Sequence, residues 1–86
     1  MEAYIPVNCE FHDHLEDFAT LRKPVSVSYL DEAGGAKQRT SVITYVFARS
    51  GADWLTLDSG ELVRLDRLVE VNGIRLDAFP PYCELD

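Results

Sequence analysis

The sequence predicts a mainly β domain with one N-terminal α-helix, folded as a small, strongly bent antiparallel β-barrel that the helix caps. Three observations support this prediction: one segment with helical periodicity, five or six short segments with alternating periodicity, and tight-turn residues between them. The 86 residues are enough for one small domain. Closing the sheet into a barrel would remove most of the exposed edges that many short strands otherwise leave.

The helix is predicted to begin near Cys9 and to end before Pro24. Asn8 precedes it, and asparagine is a favoured N-cap residue, whereas proline cannot continue a helix. A helical wheel separates an apolar face from an acidic one. The face expected to pack holds Phe11, Leu15, Phe18, Ala19 and Arg22. The opposite face holds Glu10, Asp13, Glu16, Asp17 and Thr20.

Alternating apolar and polar residues predict strands in the rest of the chain. These strands cover residues 25–30, 37–48, 54–57, 61–65, 68–71 and 74–78. The second is long enough to require a bend or a bulge, and Asn72-Gly73 is the strongest hairpin signal. Residues 1–86 are therefore interpreted as a single domain, with an ordered core over about residues 4–78 and a tail over residues 79–86.

The charge balance limits the classes of partner. The chain contains eight Lys and Arg residues and fifteen Asp and Glu residues, which gives a net charge of −7. Direct binding to nucleic acid is not expected, because phosphate contacts need cationic side chains. No apolar stretch is long enough for a membrane span, and the N-terminus lacks the pattern of a secretory signal, so the cytoplasm is the default compartment. An acidic surface favours a basic partner.

Catalytic and metal-binding motifs are not recognised. His12 and His14 are about 200° apart on the helix, so they cannot converge on one metal ion with Cys9. No nucleophile motif or phosphate-binding loop is present, so neither an enzyme nor a cofactor is expected. Cys9 and Cys83 lie near opposite ends of the chain and are expected to be free thiols in the cytoplasm.

The aromatic residues and the acidic helix face each allow two interpretations. Tyr45, Phe47 and Trp54 have the chemistry of base-stacking platforms, but their positions in alternating strands favour the core. The acidic face suits either a solvated surface that maintains solubility or a docking face for a cationic partner.

Two strings of sequence resemble the Rho-binding antiterminator (Rof/YaeO) family: residues 4–10 (YIPVNCE) and residues 60–67 (GELVRLDR), with Leu15-Glu16 between them. The resemblance implies a fold similar to the Sm barrel. It also implies a function, inhibition of the bacterial transcription termination factor Rho, a hexameric RNA-dependent ATPase. Such a protein would bind the N-terminal RNA-loading region of Rho and block nascent RNA, and we expect it to be a monomer when free.

The resemblance places the Rho contacts at the helix start and in the loop that follows the predicted strand 37–48. The candidate contact residues are Asn8, Glu10, Phe11, Asp13, His14, Glu16, Asp17, Arg49 and Ser50. Phe11 stands where the family often has a second carboxylate, so it is either an apolar anchor at the interface or part of the core. The alternative functions are an Sm-like RNA-binding module that acts as an oligomeric ring, and an accessory domain whose acidity only maintains solubility.

Overall fold

The computed structural model describes residues 3–80. Helix α1 spans Cys9–Leu21 and precedes seven strands: β1 Val25–Leu30, β2 Ala36–Ser41, β3 Ile43–Arg49, β4 Ala52–Leu57, β5 Leu62–Arg64, β6 Leu68–Val71 and β7 Ile74–Arg75. Short 3-10 helices, Leu65–Arg67 and Leu76–Ala78, follow β5 and β7. The prediction of a mainly β protein with one N-terminal helix is confirmed. Within residues 3–80 there is no helix with the length and apolar content needed to cross a membrane.

The helix begins and ends where local sequence predicts. The Asn8 side chain accepts a hydrogen bond from the Glu10 backbone N–H at 2.8 Å, which caps the first turn. Arg22 adopts a left-handed conformation, with φ of 53°, and its N–H donates to the Phe18 carbonyl at 3.0 Å. Arg22 therefore lies beyond the last helical turn and is exposed, although the helical wheel places it on the packed face.

The strands form two antiparallel sheets, one in the order β2-β1-β6-β7 and the other in the order β3-β4-β5. The predicted long strand is divided at Val42, and a bulge follows between Ile43 and Tyr45, so the predicted bend is confirmed. The chain thus passes from the first sheet to the second without a loop. The side chains buried between the sheets and α1 are Phe11, Leu15, Val25, Val27, Tyr29, Ile43, Leu55, Leu57, Val63, Leu65, Leu68 and Val71.

The predicted closure into a barrel is wrong. Among residues 3–80 no strand pairing joins the three-stranded sheet to the four-stranded sheet. The physical reason is that β5 has only three residues, after which Leu65–Arg67 turns as a 3-10 helix and interrupts the extended backbone. The predicted strand 74–78 is shortened in the same way, because Leu76–Ala78 forms the second 3-10 helix.

Two tight hairpins fix the register of neighbouring strands. Asn72 and Gly73 have φ of 52° and 86°, and Ser50 and Gly51 have φ of 54° and 80°. Positive φ at both central residues is the type I′ geometry, which matches the twist of the paired strands. The predicted Asn72-Gly73 hairpin is confirmed, and the Ser50-Gly51 turn joins β3 to β4.

Packing continues past residue 78, where the predicted tail begins. The ring centre of Phe79 lies 5.7 Å from that of Phe11, and the Pro80 carbonyl accepts a hydrogen bond from the Asn8 side chain at 3.1 Å. This contact returns the chain to the start of α1. Residues 81–86, the rest of the predicted tail, lie outside the described residues.

Cys9, the first residue of α1, is disulfide-bonded. The predicted free thiol at this position is therefore wrong. The free thiol was expected because the cytoplasm was the default compartment, where disulfides are rare. The other cysteine, Cys83, lies outside the described residues.

Candidate functional site: an acidic helix face

Four exposed carboxylates line one side of α1, and we call this surface the acidic face: Glu10, Asp13, Glu16 and Asp17. Glu16 contacts His12, whose Nδ1 lies 2.8 Å from the Glu16 Oε1, and the two form an ion pair only when His12 is protonated. No ion pair within residues 3–80 involves Asp13 or Asp17. The acidic face therefore presents negative charge that its own surroundings only partly neutralise.

Helix stability does not account for this arrangement. Asp13 and Asp17 are one turn apart, and like charges at this spacing repel each other by a few tenths of a kcal/mol. Glu10 is the acidic residue of the first turn, where the helix dipole favours negative charge, and the last turn of α1 contains no basic residue. Asp13 and Asp17 are therefore unfavourable for the helix, which leaves solubility or recognition as their role.

Two predicted contact residues are buried, and their side chains are not available to a partner. Phe11 is fully buried in the core, which decides between the two roles considered for it. Asn8 is 5% exposed. Its side-chain oxygen accepts a hydrogen bond from the Glu10 backbone N–H, and its side-chain nitrogen donates one to the Pro80 carbonyl. The sequence could not distinguish these residues from the exposed acids, because the groups that cover them lie some 70 positions away along the chain.

His14 has an intermediate position. Its side chain is half-buried, and its ring centre lies 6.0 Å from that of Phe79. Helical spacing places His14 at the border of the acidic face, and its ring packs against Phe79 of the returning chain. His14 can contribute a contact at the border of a bound partner, but it is not a free surface residue.

The other predicted contacts, Arg49 and Ser50, are exposed at the turn between β3 and β4. The Arg49 guanidinium lies over the rings of Phe47 and Trp54, and its carbonyl accepts a hydrogen bond from Trp54 Nε1 at 3.2 Å. No hydrogen bond or ion pair in the described part of the chain joins Arg49 or Ser50 to α1. The structure therefore does not bring these two residues into contact with the acidic face.

The prediction that the strand aromatics belong to the core is wrong for Tyr45, and Phe47 and Trp54 lie outside the main core cluster. Tyr45 is 63% exposed, and Phe47 and Trp54 are only half-buried. The bulge between Ile43 and Tyr45 shifts the alternation of β3 by one residue, so that Val46 packs against the core in place of its aromatic neighbours. A single bulge therefore turns Tyr45 and Phe47 outward, and Trp54 of β4 is the cross-strand partner of Phe47.

His12, Asp13 and Glu16 place one potential metal-ligand atom each within 4.8 Å of one another. The grouping follows from their helical spacing, and Asp13 and Glu16 are exposed. Exposed carboxylates of this kind are common where no ion binds, so we interpret these residues as part of the acidic face. His14 is not in this group.

A network that sequence reasoning missed holds the segment preceding α1. Arg64 donates from Nε and Nη2 to the two carboxylate oxygens of Asp66, at 2.6 and 2.9 Å, and both side chains are almost fully buried. Asp66 also accepts the Ile5 backbone N–H at 3.1 Å. The Arg64 guanidinium lies 5.8 Å from the centre of the Tyr4 ring, and the Tyr4 hydroxyl donates to Asp53 at 3.2 Å. These contacts fix where the helix starts.

One sequence signal for this network exists. The tripeptide Arg-Leu-Asp occurs twice, at residues 64–66 and 75–77. Each time the arginine directly precedes a 3-10 helix and its side chain pairs with the aspartate. The two copies differ in burial, which the tripeptide alone does not reveal.

Burial raises the pKa of the Tyr4 phenol from 10.0 to about 12, and the neighbouring Asp53 carboxylate adds to this effect. The fold thus favours the neutral phenol, whereas the unfolded chain loses this proton near pH 10. Between pH 10 and 12 the unfolded state therefore binds fewer protons than the folded state, and stability falls as the pH rises.

We expect wild type to be more stable than Tyr4→Phe at pH 8, because the variant loses the hydrogen bond to Asp53, and this advantage should shrink between pH 10 and 12. Urea midpoints of both proteins across this range test the prediction, with Tyr45→Phe as an exposed control. A constant difference between wild type and Tyr4→Phe up to pH 12 would contradict it.

No protein-family model matches this chain, and the searches of curated proteins and of solved structures gave no match either.

Proposed function

We propose that this protein inhibits Rho-dependent transcription termination by binding the RNA-loading N-terminal region of Rho and blocking nascent RNA. The observation that carries the proposal is the set of exposed carboxylates on one face of α1, of which Asp13 and Asp17 have no ion-pair partner among residues 3–80. A protein region that binds RNA phosphates presents lysine and arginine side chains. Carboxylates on a rigid helix compete for those cations, and they gain from the same release of counterions that favours RNA binding.

The resemblance to the Rho-binding antiterminator family supports the proposal through the two strings that carry it. Tyr4 and Ile5 of the first string contact Arg64 and Asp66 of the second. We assign these residues to holding the start of α1 in place, and we assign recognition of Rho to the exposed acids. A fold related to the Sm barrel is part of the proposal, and the bend at Val42 is the kind of feature that such a fold contains.

The proposed contact set is smaller than the one implied by the resemblance. It consists of Glu10, Asp13, Glu16 and Asp17, with His14 at its border. Arg49 and Ser50 contact Rho only if the bound surface of Rho extends to the β3–β4 turn, so they are weaker candidates for contact residues than the four acids. The protein acts as a non-enzymatic antiterminator in the bacterial cytoplasm under this proposal.

Neutralising three carboxylates of the acidic face should weaken binding to Rho without harming the fold. We expect the variant with Asp13→Asn, Glu16→Gln and Asp17→Asn to bind purified Rho at least about tenfold more weakly. Its melting temperature should change little, because the relief of repulsion on α1 offsets the lost contact between Glu16 and His12. Affinity is measured by titration with Rho at two salt concentrations, and by displacement of a labelled C-rich oligonucleotide from Rho.

The matched control changes three exposed acids elsewhere: Glu32→Gln, Asp58→Asn and Asp77→Asn. This control changes the net charge by the same amount as the acidic-face variant. If the control binds Rho as tightly as wild type, the weaker binding of the acidic-face variant is due to the position of its carboxylates rather than to total charge. Because Cys9 is disulfide-bonded, both variants are measured with and without reductant. Equal affinity of wild type and the acidic-face variant would refute the proposed contact, and failure of the wild type to displace the oligonucleotide would refute the function.

A further inference from the structure

A second exposed surface lies on the outer side of the three-stranded sheet, and it differs from the acidic face in chemistry. We call it the β3 stripe: Tyr45, Phe47 and Arg49 of β3, Trp54 of β4, and Arg22 at the end of α1. Tyr45, Phe47 and Arg49 alternate along β3, so they share one side of the sheet over about 13 Å. Trp54 is the direct cross-strand partner of Phe47.

The arginines of the β3 stripe rest on aromatic rings rather than on carboxylates. The Arg22 guanidinium lies 5.6 Å from the ring centre of Tyr45, and that of Arg49 lies 5.9 Å from Phe47 and 5.7 Å from Trp54. Neither arginine forms an ion pair with a carboxylate in the described part of the chain, whereas Arg39, Arg64 and Arg75 all do. Their charges are therefore held in place and remain available to an external anion.

We propose that the β3 stripe binds single-stranded nucleic acid. Exposed aromatic rings on a sheet stack unpaired bases, and a sheet surface with this number of rings accommodates about two or three of them. The guanidinium groups beside the rings supply contacts to phosphate. Fifteen acidic residues make the whole chain negative, but none of the residues that form the β3 stripe is acidic. Glu16 of the acidic face lines the same groove as Arg22 and Tyr45, so the two surfaces adjoin there. The net charge predicts no nucleic-acid binding because it sums over the whole chain rather than over the β3 stripe.

An acidic protein segment is the competing occupant, since tyrosine, tryptophan and arginine are also typical of protein interfaces. Carboxylates would engage the arginines alone. The aromatic rings also provide flat surfaces on which nucleobases can stack. The β3 stripe therefore favours a ligand that has both anionic groups and planar rings. The proposal is independent of the proposed function, and its test contains no Rho.

The test uses the intrinsic fluorescence of Trp54, because this is the single tryptophan of the chain. We expect a single-stranded oligonucleotide of ten cytidines or ten uridines to quench this fluorescence at low salt. With two arginine–phosphate contacts, the logarithm of the binding constant should fall with the logarithm of salt concentration with a slope of about −1.4. Arg49→Gln should halve this slope, and Tyr45→Ala should weaken binding by about 5- to 150-fold.

Two controls separate stacking from charge and folding. Tyr45→Phe keeps the ring and should keep most of the affinity for the oligonucleotide. Arg75→Gln removes an exposed arginine from β7 in the other sheet and should change neither the affinity nor its salt dependence. Circular dichroism of each variant checks the fold. The proposal is overturned if the oligonucleotide causes no quenching at low salt, if polyphosphate binds as tightly, or if Arg75→Gln matches Arg49→Gln. Tighter binding of a polyglutamate peptide would likewise overturn it and make the β3 stripe a protein-docking surface.

Discussion

Replacing Phe11 with alanine is expected to lower the free energy of unfolding by about 3 to 5 kcal/mol. The Phe11 side chain is fully buried, packs beside Leu15 in the core, and has the Phe79 ring 5.7 Å from its own. Its truncation removes contacts with α1, the sheets and the returning chain at once. Domains of this size have only about 5 to 10 kcal/mol of stability, so the variant should lose much of its resistance to urea.

Urea unfolding monitored by circular dichroism measures this effect, and Leu21→Ala provides the control. Leu21 is an apolar residue of the same helix, but it is 61% exposed, so its truncation should change stability by no more than about 0.5 kcal/mol. The pair of variants also tests the role assigned to Phe11. If Phe11→Ala kept wild-type stability and lost binding to Rho, Phe11 would be an interface anchor and the assignment to the core would be wrong.

Features that depend on neighbouring residues could be predicted from the sequence. Asn8 caps α1, and Asn72-Gly73 forms a hairpin, because each depends on backbone preferences within a few positions. The acidic face was predictable for the same reason, since helical periodicity alone places Asp13 and Asp17 on one side. These features involve no contact with a distant part of the chain.

Features that depend on distant contacts or on one irregular residue could not be predicted. The length of the strand predicted a bend or a bulge but not its position, and the bulge after Ile43 reverses which residues of β3 face outward. Closure of the barrel failed because Leu65–Arg67 turns away from the strand direction. The burial of Asn8 depends on Pro80, which is 72 positions away.

The same distinction applies to the candidate site. The exposed acids were identified correctly as a surface, while the residues that hold this surface in place were not recognised as structural. Tyr4 and Arg64 belong to the two strings that carry the resemblance, and the structure shows them in contact with each other. A sequence signature therefore mixes residues that position a site with residues that form it, and burial is the property that separates the two.

Replacing Asp66 with asparagine should be among the most damaging single changes in the chain, at about 3 to 5 kcal/mol. The variant removes the carboxylate that accepts two N–H groups of Arg64, in a pair whose side chains are 6% and 8% exposed. Water cannot readily replace the lost interaction at this depth. The Ile5 backbone N–H loses its carboxylate acceptor as well, so the segment before α1 should loosen.

The second Arg-Leu-Asp sequence provides a matched control within the same protein. Arg75 donates to both carboxylate oxygens of Asp77, as Arg64 does to Asp66, but these side chains are 52% and 70% exposed. A hydrogen bond from Arg75 lowers the pKa of the Asp77 carboxyl, so the contribution of this pair is present above pH 4 and is lost on acidification.

At neutral pH, Asp77→Asn should leave the urea midpoint nearly unchanged, because water replaces the exposed contact, while Asp66→Asn lowers it strongly. Urea midpoints of the two variants, together with hydrogen exchange of residues 4–8, measure the difference. If the two substitutions had equal effects, burial would not be what makes the first pair important, and Arg64 and Asp66 would have to be reconsidered as contact residues for a partner.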